Sequence, residues 1–246
     1  MGILIYMLIA LAFSSSKANE QRCTNIEVEV LDSTLNRFVS NKDIQKILEE
    51  NEINIIGYPL NEINTFIIEG KVEQHSSVEN AEVFVNSKGS LKVKIVQRQP
   101  LVRIFPKSRT GYYIDRKGLL MPLSKNFTSR VPIVTGYIEK NYQDFKPQDL
   151  TNSTADSLLR SVFLLSQAID NDEYWAAMSD QIYVSKNKDL ILIPKIGAKE
   201  IILGQNRKFA EDLKILSTFY KEVLPVVGWE KYRSINLQYK QQIVCK

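Results

Sequence analysis

Hydrophobic and polar residues alternate from Thr24 to Leu31, where Ile26, Val28 and Val30 interleave with Asn25, Glu27 and Glu29. That period of two predicts a half-buried strand. The period then lengthens. Ser40 stands as a helix cap before Asn41, Asp43 lies near the positive end, and Ile44, Ile47 and Leu48 share one face. Gly57-Tyr58-Pro59 breaks the chain. A second helix is predicted from near Asn61 or Asn64 to His75, because Ile63 with Ile67 and Ile68 with Val72 are pairs four apart. Alternation returns over Ala81–Val85 and Leu91–Val96, and Asn86-Ser87-Lys88-Gly89 between them reads as a hairpin turn. The order is β-α-α-β-β, a small module in which three strands are backed by two helices.

From Pro100 onward strands and turns dominate. Strands are predicted over Leu101–Phe105, Tyr112–Ile114, Leu119–Leu123 and Val131–Thr135, with Asp115-Arg116-Lys117-Gly118 as a tight turn, and an antiparallel sheet is the simplest arrangement. Leu158, Leu159, Val162, Phe163, Leu165 and Ile169 mark an amphipathic helix capped from Ser153-Thr154. Strands follow near Gln181–Ser185, Leu190–Pro194 and Glu200–Leu203. A last helix runs from Arg207 to Leu224 through Phe209, Leu213, Leu216 and Tyr220, ended by Pro225 and Gly228. Tyr232–Tyr239 closes the pattern as a final strand. The fold class expected is α+β: a β-α-α-β-β module, then a mainly antiparallel β domain with two or more flanking helices.

Gly2–Phe13 is twelve residues without charge, too regularly apolar to present a polar helix face. As a helix it would reach about 18 Å, short of the roughly 30 Å hydrocarbon core. Two readings stand, a signal peptide lacking a basic n-region or the outer part of a signal-anchor helix, and the anchor is preferred. Either puts the remainder outside the cytoplasm. The expected organisation is residues 1–21 as anchor and linker, 22–99 as the first module and 100–246 as the β domain.

Composition narrows the chemistry. The 32 Lys and Arg against 28 Asp and Glu are interleaved, so no basic patch recommends nucleic acid. Two cysteines, Cys23 and Cys245, can build neither a zinc knuckle nor a CxxC motif. His75 is the only histidine, which excludes sites needing two, and reads as a helix-end packing residue rather than a base. Phosphate-loop, dinucleotide and GxSxG signatures are absent. Acidic pairs such as Glu49-Glu50 lie in polar segments and read as solvated faces. No catalytic, cofactor or metal residues are therefore expected. The aromatics Tyr220, Trp229, Tyr232 and Tyr239 stand equally for core packing or for an interface.

Two stretches carry a family resemblance. Val78-Glu79-Asn80-Ala81-Glu82-Val83 leading to Leu91–Pro100 (LKVKIVQRQP) is similar to the hairpin and exit motif of a POTRA module. Tyr112-Tyr113-Ile114-Asp115 with Gly118 and Met121-Pro122-Leu123-Ser124, then Arg130–Gly136, Trp175, Gln181–Val184, Ile201–Gly204 and Gly228-Trp229, follow in the order of the FtsQ/DivIB cell-division family, in its Bacteroidetes form. The resemblance implies a single-pass inner-membrane scaffold without enzymatic activity at the division septum, its bulk in the periplasm. It implies FtsB-like and FtsL-like partners and recruitment of septal peptidoglycan synthesis, with other division proteins met through the POTRA-like module. It also implies strand addition by the partner at the distal sheet edge, which falls on Tyr232, Ser234, Ile235, Asn236, Leu237 and Tyr239, with Phe209, Leu216 and Tyr220 beside it. The alternative is a POTRA-bearing transport or outer-membrane assembly component.

Overall fold

In the computed structural model the alternating segment at Asn25–Val30 is strand β1, and the capped segment after it is helix α1 (Asn41–Glu50). The structure describes residues 21–246 apart from 33–35, 52, 54, 87, 108–109, 145–148, 153, 206–207 and 240–241. The chain divides into two compact units between Arg98 and Gln99. The anchor expected over Gly2–Phe13 lies outside the described residues. Among the described residues no helix is long and apolar enough to cross a membrane.

The first unit continues with a 3₁₀ turn (Leu60–Glu62), α2 (Thr65–Glu73), β2 (Val78–Val85) and β3 (Ser90–Gln97). Ser40 and Asp43 form a capping box: the Ser40 N–H donates to Asp43 Oδ2 at 2.8 Å and the Asp43 N–H to Ser40 Oγ at 3.4 Å. Asn64 caps α2 through the Ile67 N–H, which decides between the two starts read from the sequence. The hairpin closes as expected, since Asn86 Oδ1 accepts from the Lys88 and Ser90 N–H groups. The sheet order is β1-β3-β2, with β1 parallel and β2 antiparallel to β3. The helices crossing between β1 and β3 permit the parallel pair. Leu91, Val93 and Ile95 of the central strand are fully buried, as are Ile44 and Val72 of the helices.

The second unit holds β4 (Pro100–Ile104), β5 (Tyr112–Asp115), β6 (Leu120–Pro122), β7 (Ile133–Gly136), α3 (Ser157–Asp170), α4 (Glu173–Met178), β8 (Ser179–Val184), β9 (Leu190–Pro194) and β10 (Glu200–Gly204). It ends with α5 (Phe209–Thr218), a π turn (Phe219–Val223), α6 (Leu224–Val227), β11 (Ser234–Asn236) and β12 (Val244–Cys245). One sheet runs β12-β11-β10-β9-β8-β7-β4-β5-β6. Short turns make the β4–β5, β5–β6, β8–β9, β9–β10 and β11–β12 pairs antiparallel, while β7–β8 and β10–β11 are parallel across helical connections. The fold is thus α+β with a mainly antiparallel large sheet. Val102, Ile104, Val134, Ile182, Leu192, Ile201 and Ile235 meet the buried faces of α3 and α5 in one core.

The Tyr-Tyr-Ile-Asp motif has a structural task. Buried Asp115 accepts at Oδ1 from the Lys117 and Leu119 N–H groups at 2.9 and 2.7 Å, folding the β5–β6 turn, and Gly118 supplies its φ of +81°. Three details differ from the sequence reading. The cap of α3 is Asp156, whose Oδ1 takes the Leu158 and Leu159 N–H groups at 3.1 Å; Ser153 lies outside the described residues. The six-residue α4 is too short to show a period, yet it carries buried Trp175. Pro225 does not end the last helix. The chain widens into a π turn just before it, and Pro225 sits in the first turn of α6, where a missing N–H is harmless. Gly228, at φ +100°, is the terminator.

Candidate partner-binding site

The C-terminal segment is placed by an aromatic cluster under α5. Phe209, Leu213, Leu216, Tyr220 and Leu224 recur every three or four residues and are all buried. The Trp175 indole N–H is shared between Leu213 O at 3.1 Å and Ser217 Oγ at 2.8 Å, which ties α4 to α5. Tyr220 packs edge-on against Trp175, with centroids 5.2 Å apart, and against Trp229 at 6.0 Å. A Cβ at Gly197 would stand 3.1 Å from the Tyr220 hydroxyl, so the loop after β9 closes over the ring. Burial raises the Tyr220 phenol well above its usual pKa. Of the two readings of Tyr220, core packing is the one the structure takes.

The final strand is shorter than predicted and is not an edge. Only Ser234–Asn236 is paired, and both sides are occupied. Toward β10, the Leu237 N–H donates to Ile202 O at 2.9 Å. Toward β12, Ser234 and Lys246 exchange both main-chain bonds, at 3.1 and 3.0 Å. Ile235 and Leu237 point into the core, and with Phe209, Leu216 and Tyr220 they are at most 3% exposed. A partner could not touch these five without opening the domain. Ser234, Asn236 and Tyr232 are half-buried, and Tyr239 is 54% exposed. Tyr232 also leans on the Phe219 ring, 6.1 Å between centroids. After Leu237 the Gln238 N–H donates to Asn236 Oδ1 at 2.8 Å and the chain turns back into β12.

The edge of the sheet on this side is therefore β12, with β6 at the opposite end. Antiparallel neighbours alternate between pairs that exchange both bonds and pairs that exchange none. Since Ser234 and Lys246 exchange, Ile235 and Cys245 do not, and the N–H and C=O of Cys245 face away from β11. Ile243, two residues earlier, shares that orientation. Ile243, Val244 and Cys245 escaped the sequence reading because three apolar residues beside Gln241-Gln242 are too few to show a period.

Other chemistry does not gather. His75 Nδ1 accepts from the Ser77 N–H at 3.2 Å, and burial lowers its pKa while Asp43 partly restores it, so the ring is a neutral acceptor at the end of α2. Among the described residues no three His, Cys, Asp or Glu side chains could hold a metal ion, and both cysteines are free.

Residues 99–246 match a family model described as FtsQ/DivIB, C-terminal related, and residues 21–96 match a POTRA-like domain model. No curated protein matches the chain.

Proposed function

Because this chain belongs to the FtsQ/DivIB family, a family of cell division that is generally non-catalytic, we propose that it acts at the septum as a scaffold that receives a partner strand on the outer edge of β12. The partner is the extracytoplasmic segment of an FtsB-like protein, held together with an FtsL-like one. The protein is anchored once in the inner membrane, its two units lie in the periplasm, and it helps recruit septal peptidoglycan synthesis. Other division proteins meet its POTRA-like unit. It uses no cofactor.

The observation that carries this reading is the outward pair of main-chain groups on Cys245, in a domain that otherwise leaves β11 covered on both sides. Strand addition supplies affinity through such groups and specificity through alternate side chains. On the surface beside that edge stand Tyr232, Ser234, Asn236 and Tyr239. The transport alternative draws only on the POTRA-like unit, which division and transport proteins share, whereas the match over residues 99–246 favours division.

The test is a proline pair. Cys245→Pro deletes an N–H that no internal ladder bond uses, so the thermal midpoint should stay within a few degrees while binding of the FtsB-like segment is lost. Val244→Pro deletes a donor facing β11 and should loosen the edge itself. Normal binding and normal division with Cys245→Pro would remove β12 as the docking edge.

A further inference from the structure

The small sheet of the first unit has two edges, and they are treated differently. With β3 in the middle, β2 and β1 lie outside. Two outward N–H groups in the middle of β2 are already taken by α2: Ala81 donates to Glu73 Oε1 at 3.1 Å and Val83 to Glu69 Oε1 at 2.8 Å. That edge is closed to an incoming strand.

Among the described residues the β1 edge is closed only at its start. There the chain adds a short strand to itself, with the Gly57 N–H donating to Cys23 O at 2.7 Å and the Cys23 N–H to Tyr58 O at 2.8 Å. This cover ends at Cys23. Farther along, the Leu31 N–H donates to Ile95 O at 3.0 Å, so the odd-numbered residues bond to β3. Ile26, Val28 and Val30 consequently turn their N–H and C=O groups outward. Beside them lies a groove of about 580 Å³ whose apolar lining includes Ile26, Leu48, Ile53, Ile55 and Ile56, with Glu49 also on its wall. Ile56 is 59% exposed.

We infer that β1 is a second docking edge, which takes an extended segment of a partner protein with alternating apolar and basic side chains. Its apolar side chains would lie over the groove, on the same face as Ile26 and Val28. Its basic ones would flank Glu27 and Glu29, both exposed on the opposite face. The inner neighbour of β1 has this same pattern. Leu91-Lys92-Val93-Lys94-Ile95 runs beside it in register, and Lys92 Nζ meets Glu29 Oε2 at 2.7 Å. A second copy of the chain suits the edge poorly, because two β1 strands side by side would set Glu27 and Glu29 against their equivalents. The inference rests on the first unit alone and stands or falls separately from the β12 proposal.

The probe is a fluorescent nine-residue peptide alternating valine and lysine, compared with one alternating valine and glutamate, both titrated against the full chain. The lysine peptide should bind about tenfold more tightly, on two opposite-charge pairs gained against two like-charge pairs. Amide exchange should slow at Ile26 and Val28. The double variant Glu27→Lys, Glu29→Lys should reverse the preference, and Val28→Pro should abolish binding without loss of a β3 ladder bond. Equal binding of the two peptides would overturn the inference. So would protection at Ala81 and Val83 or at Cys245 instead of β1, or a preference unchanged in the charge-reversed variant.

Discussion

Replacing Tyr220 by alanine separates a core residue from a contact residue. Tyr220 is fully buried, stacked edge-on to Trp175 and Trp229 and covered by Gly197, so truncation leaves a cavity that rigid neighbours on α4 and the β9–β10 loop cannot fill. Loss of a buried aromatic side chain costs about 3–5 kcal/mol. For a domain of this size that lowers the midpoint by roughly 10–20 °C. The assay is thermal unfolding of the full chain followed by tryptophan fluorescence. Both tryptophans, Trp175 and Trp229, belong to the second unit and adjoin Tyr220, so the signal reports on that unit. Val226→Ala is the control, since Val226 is 83% exposed and its loss should be nearly silent. Below the new midpoint, Tyr220→Ala should still bind the partner segment, because β12 remains paired with β11. A variant whose midpoint hardly moves but whose binding disappears would refute the assignment of Tyr220 to the core and return it to the interface.

Burial holds the Tyr112 and Tyr220 phenols above their usual pKa of 10.0, so the unfolded chain releases these protons first. Their contribution is complete below pH 10 and is lost as pH rises through the folded values; Tyr220→Phe should flatten the alkaline decline in midpoint. His75 behaves oppositely: burial lowers its folded pKa, so the first unit should weaken as pH falls below about 6.5, and His75→Gln should reduce that slope in amide exchange. Gly136→Ala should be among the most damaging small substitutions, because φ is +106° and the new Cβ would stand 2.2 Å from Val184 O between β7 and β8. Gly228→Ala, also at positive φ but with nothing within 4 Å, should cost only the backbone strain of about 1–3 kcal/mol, and equal losses in chemical denaturation would contradict the clash.

Local pattern determined most elements here. The β-α-α-β-β order, the Ser40 cap, the Asn86 turn and the core face of α5 all follow from residues within one or two turns of each other, where periodicity and capping act. The Tyr-Tyr-Ile-Asp and Arg-Gln-Pro stretches carried the family resemblance, and the family model over residues 99–246 agrees with it. Which strand forms the edge could not be read that way. Ile235 and Leu237 look like any alternating strand, and only the return of residues 242–246 shows that β11 is sandwiched between β10 and β12. Likewise, nothing in the spacing of Glu69 and Glu73 announces that they take main-chain N–H groups of β2. Edge and centre are properties of who lies beside whom, set by hydrogen bonds between separate elements of the chain. Hydrophobic period reports the face a residue turns to the core and carries no information about that lateral order.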